Sequence, residues 1–233
     1  MTNTLRLTAA TAVAAALLTL AGCGSDTGKT ANTAMVGNMA KGVFARLKPG
    51  KTAKVTAPVG QEDLARAALA SNTGPLLLAT IETQGATTVL GMIGENGSKR
   101  TYATPSQQNV VLQDGVLIAT RGLGRDLMSA DPGATPQLLA TRTPGKSHRI
   151  QRYLDGEGIE RPLRLSCTLT RGTTQSYSFA GVNWTGMQMV EVCSASGLSI
   201  GNSYLVAENG QIILSRQWIG PGLGYVALQT LRP

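Results

Sequence analysis

The apolar positions of the chain fall into three textures. From Leu7 to Leu20 they form an almost unbroken run of Ala, Leu, Val and Thr behind a single Arg6, the length of a secretory leader and too short for a membrane-spanning helix. Further on, Val36, Met39, Ala40, Val43, Phe44 and Leu47 recur at i, i+3, i+4, i+7, i+8 and i+11. With Thr33 as a cap and Pro49-Gly50 as a stop, this spacing predicts a helix with one apolar face. A second helix is predicted from Gln61 to Ser71, where Glu62 and Asp63 occupy the first turn and Asn72 and Gly74 end it.

Beyond Pro75 the period shortens to that of strands. Runs rich in Leu, Val, Ile and Thr, bounded by Gly, Asn and Asp, predict strands over 76–82, 87–93, 100–103, 109–113, 116–121, 148–154, 163–171, 175–180 and 187–195. In the segment 163–171, Leu163, Leu165, Cys167 and Leu169 share one face and Arg164, Ser166, Thr168 and Thr170 the other, so Cys167 is expected to point inward. The same alternation places Glu191 beside Cys193, which requires a partly wet face or a bulge. Asp114-Gly115 signals a two-residue hairpin, because that turn needs positive φ. The stretch 114–121 reads like 209–216: a turn pair ending in Gly, an apolar run, a hydroxyl and an Arg, each followed by a glycine-rich segment. Residues 122–144 carry several Pro and Gly and are expected to form a long loop with one helical turn near 136–140. These elements predict a mainly β fold, an antiparallel β-sandwich or barrel-like sheet with two short N-terminal helices.

The leader changes this picture by supplying an address. Leu20-Ala21-Gly22-Cys23 resembles a bacterial lipobox, in which the cysteine is acylated and becomes the first residue of the product. The expected organisation is a signal peptide over 1–22, a polar tether over 23–32 and one β-rich domain with its helices over 33–233. Anchoring by more than one acyl chain holds a domain at a membrane without a spanning helix. Gly24, rather than Asp, follows the cysteine, which in a Gram-negative host points to the outer membrane with the domain facing the periplasm.

With Cys23 assigned to lipid, two of the three cysteines remain. Export into an oxidising compartment makes Cys167 and Cys193 a disulfide. The net charge is +8 and the isoelectric point about 9.8. The basic residues are scattered without aromatic interleaving, which excludes a nucleic-acid surface and leaves anionic envelope neighbours such as acidic polysaccharide or lipid head groups.

Candidate chemistry is sparse. Asp126 and Asp131 are the carboxylates best placed for acid–base work on a glycan, a reaction that depends on their separation. His148 is the single histidine, flanked by Lys146 and Arg149 in what reads as a solvated basic loop, so neither a catalytic triad nor a histidine-rich metal site is expected. Gly122-x-Gly124 lacks the third glycine and the acidic residue of a dinucleotide fold. No cofactor is expected. With aromatics at 4%, Trp184 and Trp218 are the residues to watch as sugar platforms. Arg121 and Arg216, the matched hairpin ends, are candidates for contact with acidic sugars.

The segment Thr120-Arg121-Gly122-Leu123-Gly124-Arg125-Asp126-Leu127-Met128-Ser129-Ala130-Asp131, with Gln217-Trp218-Ile219 and Gly224-Tyr225-Val226, resembles the YjbF (GfcB) lipoproteins of exopolysaccharide and group 4 capsule operons. The resemblance runs from the first helix to the last strand. It implies a β-rich outer-membrane lipoprotein that acts with a barrel protein and a periplasmic partner in polysaccharide production or export, and it brings no catalytic residues. Read physically, Arg121 ends a strand, the two glycines permit a reversal, and Asp126 and Asp131 pin the loop that follows, by hydrogen bonds or by pairing with Arg121 or Arg125. Such a loop on a rigid β scaffold is a candidate contact for a partner or glycan.

Overall fold

The computed structural model describes residues 60–233. The signal peptide, the tether and the helix expected over 33–47 lie outside the described residues.

The first described element is helix α1, Gln61–Ser71, with the predicted bounds. Its Ala65 is fully buried, and Ala68 and Leu69 pack beside it against Leu76, Leu78, Phe179 and Leu231. The C-terminal end is held from the far end of the chain: the Arg232 guanidinium donates to the carbonyls of Leu69, Asn72 and Gly74. A cation there answers the unpaired carbonyls and the negative end of the helix dipole together.

Twelve strands follow: β1 (Leu76–Ile81), β2 (Ala86–Asn96), β3 (Lys99–Ala103), β4 (Asn109–Gln113), β5 (Val116–Arg121), β6 (Ser129–Asp131), β7 (Gly145–Leu154), β8 (Glu160–Phe179), β9 (Val182–Ala195), β10 (Leu198–Val206), β11 (Ile212–Gly220) and β12 (Gly224–Arg232). A short helix α2, Thr135–Ala140, separates β6 from β7. All ladders are antiparallel, in the order β5-β4-β3-β2-β1-β12-β11-β10-β9-β8-β7-β6. Each strand except the terminal pair β5 and β6 therefore lies beside its neighbours in sequence, and the β1–β12 ladder joins the two ends of the run. A backbone bond from Thr120 N–H to Leu127 C=O, 2.9 Å, brings the end of β5 to the chain entering β6. The result is a nearly closed, barrel-like sheet, a form that leaves little unpaired edge.

Two expectations need correction here. The predicted strands 163–171 and 175–180 are one strand, β8, bent at a bulge between Arg171 and Thr174. The expected loop over 122–144 contains strand β6, whose Ser129, Ala130 and Asp131 pair with Arg152, Gln151 and Ile150. Three residues carry too little periodicity to register as a strand in sequence.

The two hairpins that matched in sequence also differ in their turns. Asp114 and Gly115 both have positive φ, +47° and +82°, as a two-residue turn between Gln113 and Val116 demands. In the second hairpin only Gly210 has positive φ, and the connection is longer, closed by Ala207 N–H on Gln211 C=O at 2.8 Å. The hairpins face each other across the interior: a Cβ on Gly115 would lie 2.8 Å from Ile212 Cδ1, so glycine is needed there for space as well as for φ.

Candidate functional site

Strand β7 carries an inverted pattern. Its outward Lys146 and His148 are exposed, as expected of them, yet its inward positions are Ser147, Arg149 and Gln151, all buried. The strand expected from His148 is present and begins earlier, at Gly145, so the solvated basic loop read around His148 is part of it, and Arg149 is one of the least exposed residues, at 2%. What receives it is Glu191 on β9, 0% exposed, with Arg149 Nη1 2.8 Å from Glu191 Oε2.

Glu191 is saturated. Oε2 also accepts from Asn202 Nδ2 at 2.8 Å and from the Tyr204 hydroxyl at 3.0 Å, and Oε1 accepts from the Thr135 hydroxyl at 2.7 Å. Neither of the expected resolutions, a wet face or a bulge, applies: the strand runs regularly past Glu191 and the carboxylate is dry and fully paired. Burial is the largest single influence on Arg149 and works against its charge, but the charge and hydrogen bond of Glu191, with Tyr204 beside it, together outweigh burial and raise the guanidinium pKa. Burial, reinforced by the Glu191 charge, pushes the Tyr204 hydroxyl well above its usual value and keeps it a donor.

The reason for polar groups at this depth lies in β5. Its ladder with β4 uses one edge; among the described residues the other edge forms no ladder and meets the chain entering β6 only at Thr120. Side chains fill in: Leu117 N–H donates to Gln217 Oε1 at 2.8 Å, Leu117 C=O lies 3.5 Å from Arg149 Nη2, and Gly115 C=O accepts from Gln217 Nε2 at 2.9 Å. Arg149, Gln217 and, through Arg149, Glu191 stand in for a missing strand. A similar substitution occurs where β10 and β11 part beyond the Ser203–Arg216 pair. There Gly201 N–H donates to the Tyr225 hydroxyl at 3.2 Å, Gly201 C=O accepts from Arg216, and Trp218 N–H donates to Asn202 Oδ1 at 2.8 Å.

The loop that carried the family resemblance closes the β5–β6 seam. Arg121, exposed at the end of β5, donates to the carbonyls of Thr120, Leu127 and Met128. Asp126 accepts from the Thr120 hydroxyl at 2.8 Å and from the N–H groups of Gly122 and Leu123 at 3.0 and 3.2 Å, so it pins the reversal through backbone and hydroxyl rather than through Arg121 or Arg125. Asp131 accepts from Gly133 N–H at 2.9 Å. The two carboxylates thus hold successive turns of the chain and share no partner. Leu123 and Leu223, one from each glycine-rich segment, enter one core cluster with Leu127 and Ile219. The exposed Arg125 lies over Gly222, where a Cβ would collide with its stem. The two glycine-rich segments singled out in the sequence therefore meet.

Of the other candidates, Trp218 is buried at 7%, edge-on to Tyr153 with ring centroids 6.0 Å apart. Trp184 is half-buried opposite Tyr177. Arg216 is bidentate to Glu82 at 2.7 and 2.8 Å and lies 3.4 Å over the Tyr225 ring. Arg121 serves the β5–β6 seam, whereas Arg216 engages Glu82, Gly201 and Tyr225. Cys23 lies outside the described residues. Cys167 and Cys193 face each other across β8 and β9 and are joined, S–S 2.05 Å, closing a loop worth about 3–4 kcal/mol by chain entropy. With Glu191 they form a group of metal-donor composition, but the disulfide leaves no thiolate and the carboxylate is already committed. Sequence reasoning missed Arg149, Gln151 and Gln217 because inward polar residues on a strand look like a solvent face. The one available signal was Glu191 in phase with Cys193.

A solved structure shares this architecture. A crystal structure of the hypothetical lipoprotein YmcC from Escherichia coli K12 is similar over 76% of this chain and 98% of its own, with 18% identity and a TM-score of 0.60. A putative exported protein with a YmcC-like fold from Bacteroides fragilis, BF2203, aligns over 69% of this chain and 96% of its own at 12% identity, with a TM-score of 0.27. No curated protein matches the chain. The family model for the group 4 capsule polysaccharide lipoprotein GfcB, YjbF, matches residues 37–231, and the chain belongs to that family.

Proposed function

We propose that the protein is a lipid-anchored accessory factor for production or export of an exopolysaccharide or capsule, held through Cys23 at the outer membrane with its domain facing the periplasm, and that it acts by docking on the system's barrel and periplasmic proteins rather than by catalysis. The observation that carries this reading is the family match across nearly all of the described domain, together with the lipobox that precedes it. The disposition of the acids supports the non-enzymatic part. Asp126 and Asp131 hold separate turns, and Glu191 is sealed by Arg149, so these carboxylates serve the scaffold. The polar loop over 121–126, pinned to a nearly closed barrel-like sheet, offers a rigid surface for a partner.

The test is Cys23→Ser in the native host. Loss of acylation by mass spectrometry, release of the protein from the membrane fraction and reduced polymer at the cell surface are expected together. Unchanged polymer export by the released protein would refute the anchored role. Hydrolysis of the purified polymer by wild-type protein would refute the non-enzymatic one.

A further inference from the structure

At the end of the barrel where the two matched hairpins turn, there is a cavity of about 480 Å³, partly open to solvent. That volume falls within the ~300–1,000 Å³ range of small-ligand sites. Its apolar floor includes Tyr102, Leu112 and Leu228 from the barrel interior. Its rim is built from planar polar side chains: Glu95 and Arg100 from β2 and β3, Asp114 from the first hairpin, Gln137 from α2, and Asn209 and Gln211 from the second hairpin.

Only part of this rim is committed internally. Glu95 pairs with Arg100 at 2.7 Å, and Asn209 Oδ1 accepts from Gln211 N–H at 3.0 Å. The side chains of Asp114, Gln137 and Gln211 make no hydrogen bond among the described residues, and they come from three separate elements. Asp114 serves the first turn through its backbone φ, which leaves its carboxylate uncommitted, and α2 packs through Leu139 and Pro136 rather than Gln137.

We infer that this cavity is a binding site for an uncharged saccharide, a short stretch or an end of a glycan chain. Carboxylates and carboxamides grip neighbouring hydroxyls through two atoms each, and a sugar ring presents C–H faces that an aromatic and aliphatic floor accepts. The charge decides the class: Glu95 and Arg100 cancel, which leaves Asp114 as the net side-chain charge of the rim and disfavours an anionic sugar. This inference rests on the reading of the protein as a polysaccharide-system component and gives that reading a ligand. It also gives the paired hairpins a role, since both turns border the same opening.

The test is saturation-transfer NMR on the full acylated chain in detergent, with glucose, galactose and N-acetylglucosamine as probes and glucuronate as the anionic comparison. At least one neutral probe is expected to receive saturation. The double variant Gln137→Ala/Gln211→Ala, which alters no core contact, is expected to weaken that binding about five-fold or more. Ala140→Phe, which narrows the opening from α2, is expected to abolish it. Absence of transfer to all three neutral sugars, transfer unaffected by the double variant, or stronger binding of glucuronate at the same site would overturn the assignment. Each result is independent of the Cys23→Ser experiment: failure of sugar binding with export still dependent on Cys23 would remove the ligand and leave the docking role standing.

Discussion

Replacing Glu191 with Gln is the sharpest probe of how this barrel is held together. The substitution keeps shape and volume but removes the charge opposite Arg149, and it turns one acceptor into a donor beside Asn202, Tyr204 or Thr135. Orphaning one member of a buried pair costs about 3–5 kcal/mol, a large share of the ~5–15 kcal/mol available to a domain. The informative comparison is the double variant Arg149→Met/Glu191→Met. For an isolated buried pair, such a replacement is often neutral or stabilising. Here the pair is also the partner of Leu117 C=O, Asn202, Tyr204 and Thr135, and orphaned buried groups cost about 1–3 kcal/mol each. The double variant is therefore expected to remain roughly 3 kcal/mol or more below wild type. Urea unfolding of the oxidised protein, followed by fluorescence of the buried Trp218, measures both, with equal slopes required for the comparison. A double variant within about 1 kcal/mol of wild type would refute the argument that these side chains replace strand pairing at the β5 edge.

Two further outcomes follow from the same geometry. Gln217→Leu leaves Leu117 N–H and Gly115 C=O without their partner and is expected to cost about 2–4 kcal/mol; faster exchange of the Leu117 amide by NMR would place the damage at the seam, and an unchanged amide would count against it. Asp155 accepts from the N–H groups of Ile159 and Glu157 and pairs with Arg161, and the Ile159 N–H above all holds its carboxyl below the usual range. Because the folded value lies below the unfolded one, its contribution is complete above pH ~4 and is lost as pH falls through the folded value. Carboxyl-carbon NMR should show the depressed titration, and Asp155→Asn should flatten the stability profile in that acid window alone; a titration at or above the ordinary aspartate range would refute it.

Much of this protein was determined by local chemistry and was readable from the chain. Helix α1 begins and ends where its acids and Asn72 place it, the Asp114-Gly115 turn has the φ values its residues demand, and Cys167 and Cys193 face each other because alternation on β8 and β9 puts both inside. The family, too, was visible in the 120–131 loop. Tertiary structure decided what crosses the barrel. Whether Arg149 faces water or the interior depends on Glu191, 42 residues away, and whether Trp218 is a platform or a core residue depends on Tyr153 and β10. Periodicity reports the preferences of neighbouring residues, and a buried ion pair reverses those preferences at two distant positions at once. That reversal is energetically acceptable only when both partners are in place, so β7 taken alone gives no sign of it and β9 gives only Glu191 in phase with Cys193.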